Sequence, residues 1–211
     1  MAEWTALSGM LVQLEPMAVC HVKGLAEAAR SGASPFTLVP QGQAETHTYV
    51  AQARAEQIAG TSLAFTVIDQ RDERIVGATR FKNLEWWTQD STAGPDVVEI
   101  GNSWLCDTAQ GSGINLEAKL LMLRYAFESW HVRRVSFWVD IRNHRSRAAL
   151  EKLGATCEGE RRALSPGLDG TERDVASYSV LAQEWPAVRE IISMRLSLYP
   201  PIGSRRPNVP A

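Results

Sequence analysis

Six consecutive residues, Gln110-Gly111-Ser112-Gly113-Ile114-Asn115, place two glycines directly ahead of an apolar run that reads as a helix. A glycine turn opening a helix lets backbone N–H groups converge on an anion, and the helix dipole adds a favourable field at that end. The segment is therefore a candidate pyrophosphate cradle; the alternative is a plain strand-to-helix turn that uses glycine for positive φ. Other nucleotide signatures are not written in the chain. No Lys followed by Ser or Thr completes a P-loop, and no G-x-G-x-x-G stands near the first strand.

Two further places carry polar groups suited to chemistry. Glu99 sits within Val97-Val98-Glu99-Ile100-Gly101, a carboxylate on an otherwise apolar strand that either serves as a base or faces solvent. Asn143 and Ser146 open a helix that Gly154 can close, so Asn143 is at least an N-cap and Ser146 a first-turn hydroxyl. Trp86 and Trp87 are candidates to line an acceptor pocket at a strand end, but adjacent aromatics point to opposite faces, so at least one of them is expected to pack. Arg142, Arg145, Arg147, Arg161 and Arg162 are either solvated or available to a phosphate. Cys20, Cys106 and Cys157 are widely spaced and read as reduced thiols, and the four histidines lack ligand spacing, so no metal is expected. Cys106 has no base near it in sequence, and an acyl-enzyme intermediate is not indicated.

The elements that position these groups follow from periodicity. Met10 to Leu14 reads as a strand, Ala18 to Arg30 and Ala44 to Ala59 as helices, and Ser62 to Asp69 with Arg74 to Leu84 as a hairpin around Gln70 to Glu73. Val97 to Cys106 is a third long strand. Leu116, Leu120, Leu123, Phe127 and Trp130 then recur at helical steps and should form one buried face. Val135 to Val139 is a strand, Asn143 to Leu153 a helix, Ala155 to Arg161 and Asp174 to Val180 are strands, and Ala182 to Leu196 is a last helix. This order describes a mixed α/β domain with a parallel, right-handed strand–helix–strand unit.

The chain has 211 residues, 45% of them hydrophobic, with a formal net charge of -2. One core suffices for that length, so residues 1–199 are read as a single domain and the Pro-rich stretch 200–211 as a disordered tail. Interspersed charges give no electrostatic reason for a nucleic-acid or membrane partner, and no apolar run approaches a bilayer span. A cytoplasmic protein is expected.

Strand, Gln-x-x-Gly helix and strand, followed by N-x-x-S-x-x-x-L-E-K-L-G-A from Asn143 to Ala155, resemble the GNAT superfamily of N-acetyltransferases over roughly Met10 to Trp185. The similarity is greatest to the ribosomal-protein N-terminal acetyltransferase branch. Its loop pattern Q/R-x-x-G-x-G/A maps to Gln110, Gly113 and Asn115. Asn115 departs from the usual small residue, while Gly113, Asn115, Glu117 and Lys119 match a G-x-N-x-E-x-K subgroup. The resemblance implies a mostly antiparallel central sheet with a splayed parallel strand pair, flanked by helices. It further implies that acetyl-CoA is held by Trp104, Leu105, Gln110, Gly111, Ser112, Gly113, Ile114, Asn115, Asn143 and Ser146. Glu99 would then be the base, directly or through water, and Ser146 the donor to the leaving thiolate. The expected activity is direct acetyl transfer to a primary amine in a ternary complex, with a protein N-terminus or a small amine as acceptor and a homodimer as a compatible assembly. A non-catalytic acyl-CoA-binding module is the alternative.

Overall fold

Apolar runs, buried on both faces in the central strands, draw eight segments of the chain into one sheet. The computed structural model describes residues 5–32, 34–87 and 94–199. Strands β1 (Leu7–Ser8), β2 (Val12–Pro16), β3 (Ser62–Asp69), β4 (Arg74–Glu85), β5 (Val97–Leu105), β6 (Arg134–Asp140), β7 (Thr156–Pro166) and β8 (Glu172–Leu181) lie in the order β1-β2-β3-β4-β5-β6-β8-β7. Every neighbouring pair is antiparallel except β5 with β6. Five α-helices complete the fold among the described residues: α1 (Val22–Ala29), α2 (Gly42–Ile58), α3 (Ile114–Arg124), which runs on into a π-helical turn over Tyr125–Ser129, α4 (His144–Leu153) and α5 (Trp185–Leu196). This is the mixed α/β architecture that the sequence implies.

Boundaries move where local hydrogen bonding overrides pattern. The first long strand begins at Val12 rather than Met10, because the Gly9 N–H donates to the Val12 carbonyl at 2.9 Å and turns the chain there. Val19–His21 forms a 3-10 turn before α1. The last helix starts at Trp185 with Pro186 in its first turn, where proline's missing N–H costs nothing. The expected tail, 200–211, lies outside the described residues.

Helix α3 differs most from expectation. Ile114, Ala118, Leu121, Met122 and Leu123 are all buried, whereas Leu116 and Leu120 are only partly so. The helix is covered on several sides because it packs against β1, β2 and α5 at once. Two charged residues, Glu117 and Lys119, are buried with it. Glu117 accepts from the backbone N–H groups of Met10, Leu11 and Val12 at 2.8, 2.6 and 2.8 Å. A carboxylate thus satisfies three donors of the turn that β2 leaves behind. Gly9 is required beside it, since a Cβ there would lie 2.4 Å from Glu117 Cδ.

Replacing Glu117 with Ala orphans those three donors and should destabilise the fold by about 3 kcal/mol in urea denaturation. Gly9→Ala should be costly alone and much less so in the Glu117→Ala background, and strictly additive effects would contradict the contact.

Candidate active site

Parallel pairing between β5 and β6 is short. Val97, Val98 and Glu99 pair with Arg134, Val135 and Ser136, and there the register ends. Beyond it β6 stays paired with β8 through Asp140, while β5 stays with β4 through Leu105. From Ile100 onward the β5 edge facing β6 therefore has backbone groups with no strand to meet, which is costly unless something else binds them. A cavity of about 670 Å³ occupies the opening and is lined by Glu99 to Leu105 on one wall and Phe137 to Asp140 on the other. That size suits a cofactor or small substrate.

A bulge shapes the β5 wall. Ala78 pairs with Trp104 and Arg80 with Gly101, so Thr79 faces both Asn102 and Ser103. Asn102 absorbs the extra residue at φ 47, a left-handed conformation that Asn tolerates better than most side chains. Trp104 is buried and Leu105 half-buried, and both border the cavity.

Glu99 is 1% exposed, not solvent-facing, yet it borders the cavity. Its Oε1 lies 3.1 Å from Lys82 Nζ, and its Oε2 accepts from Asn83 Nδ2 at 2.6 Å. Burial raises the Glu99 pKa above the ordinary glutamate value, opposed by Lys82 and the Asn83 amide. The E-I-G spacing gains a physical meaning here. A Cβ on Gly101 would lie 2.7 Å from Lys82 Cε and 3.0 Å from Glu99 Oε1, so the glycine leaves room for the pair. Lys82 and Asn83 were not singled out from sequence, because only the β4–β5 register brings them to Glu99. Asn83 sits at φ 48 beside a second irregularity of β4.

The glycine turn lies at the end of β5. Gln110 holds it there: Nε2 donates to the Leu105 carbonyl at 3.1 Å, and Oε1 accepts from Arg145 at the start of α4. Gly111 and Gly113 adopt φ 72 and 88, and Gly113 is the N-cap of α3. Gln110, Gly111, Gly113 and Asn115 border the cavity. The Ser112 hydroxyl turns back to the Ala109 carbonyl at 2.6 Å, and the Ile114 side chain enters the core, so the cradle could use only their backbone groups.

Across the opening, Asn143 caps α4 by accepting from the Ser146 N–H at 3.1 Å, and Gly154 closes the helix at φ 99. Asn143 and Ser146 both border the cavity. The other arginines divide: Arg142 is held by Asp140 and Asp169, and Arg147 by Glu160. Trp86 and Trp87 are 49% and 61% exposed and do not border the cavity, so the expected packing and pocket roles are both replaced by surface positions. Arg133 covers Trp87.

Lys119 reaches the β5 wall from beneath the bulge, donating to Ser103 Oγ at 2.6 Å and Thr79 Oγ1 at 3.2 Å. No carboxylate pairs with it among the described residues, and burial lowers its pKa to about 7. Among the described residues no His/Cys/Asp/Glu group could hold a metal, and no helix is long and apolar enough to cross a membrane.

Residues 12–156 match the family described as "Acetyltransferase (GNAT) domain". A 90-residue stretch is 36% identical to "Putative ribosomal N-acetyltransferase YdaF" of Bacillus subtilis (strain 168), taking in 42% of this chain and 47% of that protein. The match thus spans about half the length of the curated relative. Among solved structures, a GCN5-related N-acetyltransferase from Brucella melitensis superposes with a TM-score of 0.80 at 25% identity, covering 91% of this chain and 85% of that one. RimJ of Mycobacterium smegmatis, solved in complex with CoA-disulfide, shares the fold with a TM-score of 0.73 at 22% identity, over 90% and 93% of the two chains.

The unfolded chain holds a proton on Lys119 up to its ordinary pKa of 10.5, whereas the folded chain releases it near 7. Stability should therefore rise with pH across that window, by up to about 1.4 kcal/mol per pH unit from this group. Lys119→Met should remove that part of the slope, as read from urea midpoints at neutral and alkaline pH; parallel profiles would contradict the assignment.

Proposed function

The chain belongs to the GNAT acetyltransferase family, and from that premise we propose that it transfers acetyl directly from acetyl-CoA to a primary amine within a ternary complex. The observation that carries this reading is the β5 edge, open beyond Glu99 and leading to the glycine turn at α3. Pantetheine would pair with that edge while its pyrophosphate meets Gln110 to Asn115, with Trp104 and Leu105 flanking the arm. Asn143 and Ser146 would border the cofactor from α4.

In this arrangement the amine attacks the thioester carbonyl. Glu99 accepts the proton that the amine sheds, directly or through a water, and the nitrogen–carbon bond forms as the carbonyl electrons move to oxygen. Backbone N–H groups at the bulge stabilise that oxyanion, a role that asks only for fixed donors. Collapse breaks the carbon–sulfur bond, and the Ser146 hydroxyl assists the departing CoA thiolate. Lys82 and Asn83 hold the Glu99 carboxylate in place, so much of the rate would come from positioning.

The acceptor class we favour is a protein N-terminus, supported by the name of the Bacillus relative. Leu38 and Leu168, each 56% exposed, border the cavity and offer apolar contacts to a peptide.

A panel of N-terminal peptides and small amines will identify an acceptor. With it, Glu99→Gln should lower kcat by roughly 10²–10⁴-fold while leaving the acetyl-CoA dissociation constant unchanged. The unaltered enzyme should lose kcat/KM as pH falls through the raised Glu99 pKa, with an acid limb above the ordinary glutamate value of 4.5, and the variant should lack that limb. A variant with full kcat would exclude Glu99 as the base.

A further inference from the structure

Helix α5 lies beyond residue 156, where the family match ends, yet it reaches the glycine turn. The Tyr199 ring lies against Gly113: a Cβ there would be 2.8 Å from Tyr199 Cγ and 2.9 Å from Leu11 Cδ1. One helical turn earlier in the chain, Arg195 borders the same cavity. Its Nε is buried, and no described residue accepts a hydrogen bond from it. Nor does any carboxylate among the described residues pair with its guanidinium. Of the cavity's other arginines, Arg145 is bonded to Gln110 and Arg173 is paired with Asp140 at 3.8 Å, although the Arg173 Nε is likewise buried without an acceptor.

A buried N–H without an acceptor is rare in folded proteins, because the group has given up water for nothing. A guanidinium has a planar fork of donors suited to paired phosphate oxygens. An anion site on the same cavity is the N-terminus of α3, which Gly111 and Gly113 open at positive φ. An acyl-CoA pyrophosphate there would give Arg195 the acceptor that the protein withholds.

We infer that Arg195 is a phosphate-binding residue, gripping the acyl-CoA pyrophosphate from the C-terminal helix, with Tyr199 closing the cradle over Gly113. The inference rests on the acetyl-CoA reading given above. It makes α5 part of the donor site, so cofactor binding depends on a segment outside the matched family stretch.

Calorimetric titration of the full chain with CoA and with 3′-dephospho-CoA tests this, using Arg195→Gln and Arg195→Lys. The Gln variant should bind both ligands roughly tenfold or more weakly, as loss of a charge-assisted contact implies, at an unchanged thermal midpoint. The Lys variant should recover part of the loss. Unaltered affinity in Arg195→Gln would overturn the inference. So would a loss confined to CoA, which would move the contact to the 3′-phosphate, or a fall in thermal midpoint that Lys does not rescue, which would make the role structural. Absence of CoA binding by the unaltered chain would instead overturn the acetyl-CoA reading itself.

Discussion

Everything at the site depends on a parallel strand pair that stops after three residues. β5 and β6 share their register only from Val97 to Glu99, and each then keeps its other neighbour. The sheet thereby holds both strands while leaving the β5 edge beyond Glu99 without a strand partner. A sheet that remained paired throughout would have no room between these strands and no exposed amides along them. The bulge at Asn102 adds to the effect by re-aiming the strand where two residues face Thr79.

Electrostatics around that opening are arranged by burial more than by charge number. Glu99 is removed from water but kept beside Lys82 and Asn83, so its carboxyl is harder to ionise than an exposed one without being isolated. Lys119 shows the converse: burial without a carboxylate partner brings a lysine's pKa down to about 7. Its two hydroxyl contacts fix Ser103 and Thr79 on the strands that form the bulge. Glu117, two residues earlier on α3, works in the other direction and ties the helix to the start of β2. One helix thus secures the N-terminal turn, supports the bulge and presents its own N-terminus to the cavity.

Much of this frame was legible because it depends on local chemistry. The glycine turn before an apolar run, the Asn143 cap and the Gly154 closure all use residues whose backbone preferences are strong and short-range. The succession of strands and helices along the chain around them follows from periodicity. What sequence did not disclose arises from pairing across the sheet or from distant segments. Lys82 meets Glu99 only through the β4–β5 register, and Tyr199 reaches Gly113 only because α5 packs back on α3. The heptad-like spacing of Leu116, Leu120 and Leu123 pointed to one buried face, yet contact with β1, β2 and α5 buries more of the helix than its pattern implies. Adjacent tryptophans suggested packing at a strand end, but Trp86 and Trp87 follow the last residue of β4 and remain at the surface.

In the proposed reaction the open edge of β5 binds the pantetheine arm. Amide hydrogen exchange across residues 97–105, with and without acetyl-CoA, tests it most directly. The amides of Val97 to Glu99 should be protected in both states, and those facing β6 from Ile100 to Leu105 should slow markedly when acetyl-CoA is added. Exchange between Ile100 and Leu105 that is unchanged at saturating acetyl-CoA would contradict it.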